Sequence, residues 1–286
     1  MRASNLCSQL EKDFVKQGIV ETWYNENWKN QEYICDNFKQ RSLGLLCDFT
    51  KEVNKVYTAV FPSDKVIVKI LNDGITDAML FCHHPLVWEI GRPQNPNIAF
   101  HDINAELLEI MKERRISLFN FHLPLDNFNE YSTSKTLAEA LRIKILKPFG
   151  KFGGATCGII GITDCKTIHE FNTHYSQTVG HETKLYQYGD GVIKDGMVGI
   201  CAGGGNDFNI VPQFAEEGLN VHIVGISVNN PFTAETHNFE KEHGINLIGG
   251  THYSTEKYAC IAICKYFEKI GLLAEFICDV PCLYDL

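Results

Sequence analysis

The chain has 286 residues, 44% hydrophobic and 21% charged, which is enough apolar material for a packed core and excludes a disordered chain. Its formal net charge is -9, and no basic run or basic-aromatic stripe stands out, which excludes binding nucleic acid by neutralising its backbone. No apolar run approaches the ~20 residues of a membrane span, and the first 30 residues lack the apolar stretch of a signal peptide. The expectation is a soluble, cytoplasmic protein with neither nucleic acid nor membrane as partner. The eleven cysteines are odd in number and scattered, with no C-x-x-C pair. Cys260/Cys264 and Cys278/Cys282 are each four apart, wider than zinc-knuckle spacing, so reduced thiols are expected.

Ser4 to Gln40 reads as helical material packed on the outside, without chemistry of its own. Ser42–Asp48 is a short apolar piece suited to an edge strand. From Lys55 the pattern turns regular. Val56–Phe61 is a strand by its β-branched and aromatic content. Ser63 is placed to cap a helix carrying Val66, Ile67, Ile70 and Leu71, which Gly74 would end. Ala78–Cys82 is a strand apolar on both faces, and it delivers His83-His84-Pro85. Side chains alternate on extended backbone, so these two imidazoles suit two separate ions better than one. Asn104–Arg115 is an amphipathic helix, and Ile116–Phe121 a third strand running into His122-Leu123-Pro124-Leu125-Asp126.

Gly150–Asp195 carries β-like segments and no usable motif. The earlier order then repeats. Met197–Cys201, Val221–Ile226 and Ile245–Ile248 are strands, with helices through Val211–Ala215 and Thr236–His243 between them. The last strand leads through Gly249-Gly250-Thr251 to His252 and Glu256, at the start of another helix. Both halves read β-α-β-α-β, about 130–145 residues apart. The expected domains are a helical extension over 1–50, a first α/β lobe over 51–150, a β-rich connection over 151–195 and a second lobe over 196–286.

Alternating strands and helices argue for mostly parallel sheets, whose ligands gather at the carboxyl ends of the strands. His83, His84, His122, Asp126 and His252 all fall at such ends, and Glu256 lies four residues beyond His252 across the start of the helix. Imidazole mixed with carboxylate suits zinc, iron, manganese, nickel or cobalt and disfavours calcium. A glutamate can bridge two ions, as two-metal hydrolytic sites require. Each residue also has a plain structural reading: Asp126 in a turn, Glu256 as a stabiliser of a helix start. Those readings do poorly jointly, because the topology puts all the residues on one rim. His237 follows the second-half strand that corresponds to the His83-His84 strand, and can line the same cleft. His101, His169, His174, His181, His222 and His243 read as structural. Gly203–Gly205 sits between a strand and a helix, where glycines can cradle phosphate, but it lacks the Lys-Ser/Thr of a P-loop and reads as a tight turn.

LFCHHPL (Leu80–Leu86), HLPLD (His122–Asp126) and G-x-H-x-x-x-E (Gly250–Glu256) together resemble the Nif-three-like family, whose members often carry the description GTP cyclohydrolase 1 type 2 homologue. The resemblance covers roughly Val56 to Cys282, weakly in the middle. It implies two duplicated, intertwined α/β lobes with mixed, mostly parallel sheets, a dinuclear metal centre in the cleft between them, and a toroidal homohexamer. Carried over by motif, His84 and Asp126 would bind one divalent ion, His83 and His252 the other, and Glu256 would bridge, with His122 an additional ligand or supporting group. Two departures stand out. Ser132-Thr133-Ser134 replace a Gly/Asn-containing loop after the aspartate, and Gly225–Asn230 lacks a Gly-Glu. The function implied is a dinuclear metal-dependent hydrolase, cyclohydrolase-like, acting on a nucleotide or related heterocycle, with His122 and His237 the candidates for acid-base work. The alternative is a non-catalytic metal-binding oligomer acting as a scaffold or regulator. A third reading, nucleotide binding through Gly203–Gly205, would leave the histidines dispensable.

Overall fold

Strands that are apolar on both faces need cover on both, and that requirement sets the architecture. The computed structural model describes residues 1–90, 99–207 and 209–286. The chain opens with α1 (Ala3–Phe14), α2 (Asp36–Arg41), β1 (Gly44–Cys47), β2 (Lys55–Ala59), α3 (Asp64–Asn72) and β3 (Ala78–Cys82). Then come β4 (Val87–Glu89), β5 (Ala99–His101), α4 (Ala105–Glu113), β6 (Ile116–Asn120), the single turn α5 (Leu123–Asp126) and α6 (Thr133–Ala140). The middle holds β7 (Lys144–Phe152), β8 (Ala155–Ile162), α7 (Ile168–Val179) and β9 (Lys184–Tyr186). The remainder is β10 (Met197–Cys201), α8 (Pro212–Glu216), β11 (Val221–Val224), α9 (Ala234–His243), β12 (Asn246–Gly249), α10 (His252–Lys269) and β13 (Leu273–Phe276).

The contacts divide the chain into two units, each drawn from separated stretches. The first comprises Met1–Trp88, Phe100–Leu125 and Cys260–Asp279. Its sheet runs β1-β6-β3-β2-β13. β13, β2, β3 and β6 are parallel, and β1 closes one edge antiparallel to β6, so Ser42–Asp48 holds the edge strand expected of it. All five residues of β3 are fully buried. One face packs Tyr57, Leu80 and Leu118 against Ile67 and Ile70 of α3 and Leu108 and Met111 of α4. Each fully buried side chain of this size contributes roughly 1.5–3 kcal/mol. The Ser63 hydroxyl accepts from Val66 N at 3.2 Å, so the expected cap of α3 is in place. α1 buries Ala3, Leu6, Leu10 and Phe14.

The second unit is chiefly Asp126–Ala259 with Val280–Leu286. Its sheet runs β7-β8-β10-β11-β12-β9, with β10, β11 and β12 parallel and β8 and β9 antiparallel to their neighbours. Each unit therefore centres on three consecutive parallel strands of a β-α-β-α-β run, β2-β3-β6 and β10-β11-β12, the internal repeat seen in the sequence. The sheets are mixed and partly parallel. Residues 151–195 hold more than β-like segments: β8 joins the sheet, and α7 is a 12-residue helix. α7 starts in a capping box, with Glu170 N donating to Thr167 Oγ1 and the Glu170 carboxylate accepting from Thr167 N. The T-x-x-E signature was legible in the sequence. Among the described residues no helix is long and apolar enough to cross a membrane.

Candidate metal centre

In the first unit, β3 ends at Cys82 and the chain bends over His83–Leu86. The alternation of an extended strand therefore does not carry through the two histidines. Their rings lie 4.4 Å apart, centroid to centroid, instead of on opposite faces. Both are fully buried. The end of β6 brings His122 beside them, with ring centroids 5.0 Å from His83 and 4.9 Å from His84. Each of the three offers one ring nitrogen, and these atoms lie within 4.8 Å of one another.

The neighbours of these rings fix their orientation. His83 Nδ1 lies 3.0 Å from the Phe121 carbonyl oxygen, which can only accept, so Nδ1 carries the proton and Nε2 the lone pair. Asn120 Nδ2 donates to the His83 carbonyl at 2.5 Å, pinning the bend. Phe61 stacks on His84 at 4.8 Å, and Trp23 meets His84 and His122 edge-on at 5.7 and 4.8 Å. Glu21 Oε2 lies 3.3 Å from His122 Nδ1, and Glu21 Oε1 accepts from Leu123 N. The segment before α2, expected to carry no chemistry, thus lays two side chains against the histidines. Nothing in its sequence pattern marks them.

In the second unit, α10 begins at His252. Nε2 of His252 and Oε1 of Glu256 are 3.1 Å apart and both side chains are almost fully buried, which is the pairing expected of residues four apart on one helix face. The backbone N–H of His252, otherwise an orphan of the helix start, donates to Asp285 Oδ2 at 2.9 Å. Burial pushes the Asp285 carboxyl up to about 6. The Asp285 carbonyl also accepts from Ser227 N and Val228 N, so the loop that departs from the family pattern is held by the turn at Leu283–Asp285.

The glycine loop serves Glu256. Gly203 has φ +67°, and a Cβ on it would sit 1.9 Å from Glu256 Oε1. Its N–H donates to Thr255 Oγ1 and its carbonyl accepts from Gly225 N and Ile226 N. Those groups are committed to the fold, and the following α8 has only five residues, so the tight-turn reading of Gly203–Gly205 stands.

Asp126 closes the single turn α5, and its Oδ1 accepts from Thr133 Oγ1 at 2.6 Å. Ser134 Oγ accepts from Ala202 N at 3.0 Å. The Ser132–Ser134 departure thus supplies a hydroxyl to the aspartate and an anchor for the strand end that leads into Gly203. His237 is buried, with Nδ1 2.7 Å from the Tyr188 hydroxyl, and burial holds its pKa below the usual histidine value. His222, read as structural, pairs with Glu240 at 2.6 Å inside the core.

A family model described as Duf34/NIF3 (NGG1p interacting factor 3) matches residues 32–279. The chain belongs to this family. Among curated Duf34/NIF3 relatives, the "GTP cyclohydrolase 1 type 2 homolog" of Haemophilus influenzae is 25% identical over 236 residues, 82% of this chain and 87% of the relative. The protein so named in Borreliella burgdorferi is 26% identical over 248 residues, 86% and 90% of the two chains. The solved structure of protein ybgI aligns with a TM-score of 0.75 at 19% identity, covering 99% of this chain and 100% of that one, which shows a shared fold. The resemblance read from the three motifs agrees with the family found.

The donor chemistry of this Duf34/NIF3 member fits metal ions. Imidazoles and carboxylates together suit divalent transition metals. Two of the imidazoles make the outer hydrogen bonds that orient ligating histidines, His83 to a carbonyl and His122 to a carboxylate. A buried His/Glu set of this kind can bind metal ions.

Proposed function

We propose that His83, His84, Asp126, His252 and Glu256 hold two divalent ions per chain (zinc, iron, manganese, nickel or cobalt), with Glu256 bridging and His122 an additional ligand or support. On this reading the protein is a dinuclear metal-dependent hydrolase of the cyclohydrolase-like kind named among its relatives, acting on a nucleotide or related heterocycle as a cytoplasmic homohexamer. The observation that carries it is the histidine cluster, two buried imidazoles and a half-buried third with donor atoms within 4.8 Å, two of the three held by outer hydrogen bonds. Bound metal would lower the pKa of a coordinated water and stabilise charge on the attacked centre. The chain's own residues do the rest. His83 presents its Nε2 lone pair, Trp23 and Phe61 wall the cluster with aromatic surface, and Gly203 leaves room for the Glu256 carboxylate. His122 and His237 remain the proton-transfer candidates.

The test is metal content per chain, by mass spectrometry, on gently purified wild type and on the His83→Ala/Glu256→Ala double variant. About two ions in wild type and a sharp fall in the variant support the reading, and nucleotides would then be screened for turnover. A wild type near zero that zinc, manganese or iron cannot load sinks it. The family description, which names an interacting factor, favours one second reading, a metal-binding scaffold without catalysis. In that case His83→Ala would lose metal and keep its activity in cells.

A further inference from the structure

Glu21 and Trp23 lie before residue 32, where the match to the family model begins. Both come from the stretch between α1 and α2, and both touch the histidine cluster within the first unit. We propose that Glu21 is a positioning residue for His122: it fixes the Nδ1–H tautomer of that ring, so that the Nε2 lone pair faces the cluster, while Trp23 holds the ring edge-on. This rests on the metal-ligand reading for its consequence but not for its geometry.

Two N–H donors converge on one carboxylate. Glu21 Oε2 lies 3.3 Å from His122 Nδ1, and Glu21 Oε1 accepts from the Leu123 backbone N–H. Glu21 is 3% exposed at its side chain and His122 14%, so water competes little for either contact. The Leu123 donor is the first N–H of the turn α5 and cannot change its role. The imidazole can, because its proton can sit on either nitrogen. Trp23 meets the same ring at 4.8 Å and 86°, which blocks it from swinging out of the Glu21 contact. A carboxylate bonded to the far nitrogen of a ligating histidine is the arrangement that sets its tautomer and raises its basicity.

Glu21→Gln separates this role from a merely structural one. The shape is kept, but glutamine has one acceptor atom for two donors. With its oxygen held by Leu123 N–H, its amide N–H₂ faces His122 Nδ1, and the ring proton must move to Nε2. The experiment is long-range ¹⁵N–¹H correlation of the His122 imidazole in the metal-free, full-length protein, paired with zinc affinity by chelator competition. The expected result is an Nδ1–H pattern in wild type, an Nε2–H pattern in Glu21→Gln, and zinc bound roughly 10–100-fold more weakly by the variant. An unchanged ring pattern in a folded Glu21→Gln overturns the proposal, as does an Nε2–H pattern in wild type. Should the pattern switch as expected while wild type binds no zinc, the positioning role holds and the metal reading of the previous subsection falls.

Discussion

Gly203→Ala is the sharpest probe of how the second unit builds its carboxylate. The new Cβ would lie 1.9 Å from Glu256 Oε1, 2.9 Å from its Cδ and 3.2 Å from a ring carbon of His252. Real Cβ contacts do not fall below 3.0 Å, so the carboxylate must retreat by at least about 1.1 Å. That motion breaks its 3.1 Å contact with His252 Nε2. Metal–ligand distances tolerate only about ±0.2 Å, so zinc affinity is expected to fall more than tenfold, or more than about 1.4 kcal/mol. The fold should suffer less. Holding alanine at φ +67° costs roughly 1–2 kcal/mol, and the obstructing atoms are the end of a flexible side chain. Gly218→Ala is the control, since it carries the same backbone strain at φ +71° with nothing within 4 Å of its Cβ. Zinc competition with a chromophoric chelator and thermal unfolding would be run on both. Wild-type affinity in Gly203→Ala, or an equal loss in Gly218→Ala, would refute the reasoning.

Thr133→Val removes the hydroxyl that donates to Asp126 Oδ1 and should weaken zinc binding several-fold while moving the melting temperature by no more than a few degrees, read by the same two assays. Leu80→Ala in the fully buried β3 should cost about 2–5 kcal/mol in denaturant unfolding of the metal-free protein. Burial depresses the His237 pKa, with His222 acting the same way and Glu240 and the carbonyls of Ser227 and Val228 opposing. The unfolded chain therefore takes up that proton first. The contribution of His237 is complete above about 6.5 and is lost as pH falls below it, so stability measured from pH 7.5 to 5.5 should drop less steeply in His237→Gln than in wild type. Equal slopes would count against that assignment.

The sequence showed most clearly what depends on local pattern. β3 was readable because five consecutive apolar residues need cover on both faces, and α3 because Ser63 precedes a run with helical spacing. His252 and Glu256 were legible as a pair, since four residues along a helix return to one face. What escaped was set by distance along the chain. Glu21 reaches His122 across 101 residues and Asp285 reaches His252 across 33, and no periodicity encodes such contacts. The His83-His84 geometry escaped for another reason: the alternation rule presumes an extended backbone, and the backbone bends there. α7 was a different miss, because Thr167 and Glu170 carried its capping box in plain view.

The distance in sequence between Leu273–Asp285 and their partners has a consequence for how the protein is made. β13 pairs with β2, matching Ala274 to Val56, and Asp285 caps α10 while holding the loop at Ser227 and Val228. Both units thus wait for residues far along the chain: the first lacks an edge strand and the second lacks the brace on its histidine until Leu273–Asp285 has left the ribosome. Long-range pairings of this kind slow folding and expose unfinished sheets during translation. Neither unit can be cut out as one contiguous fragment, and a nascent chain halted before Leu273 should remain a client of chaperones however long it is given to fold.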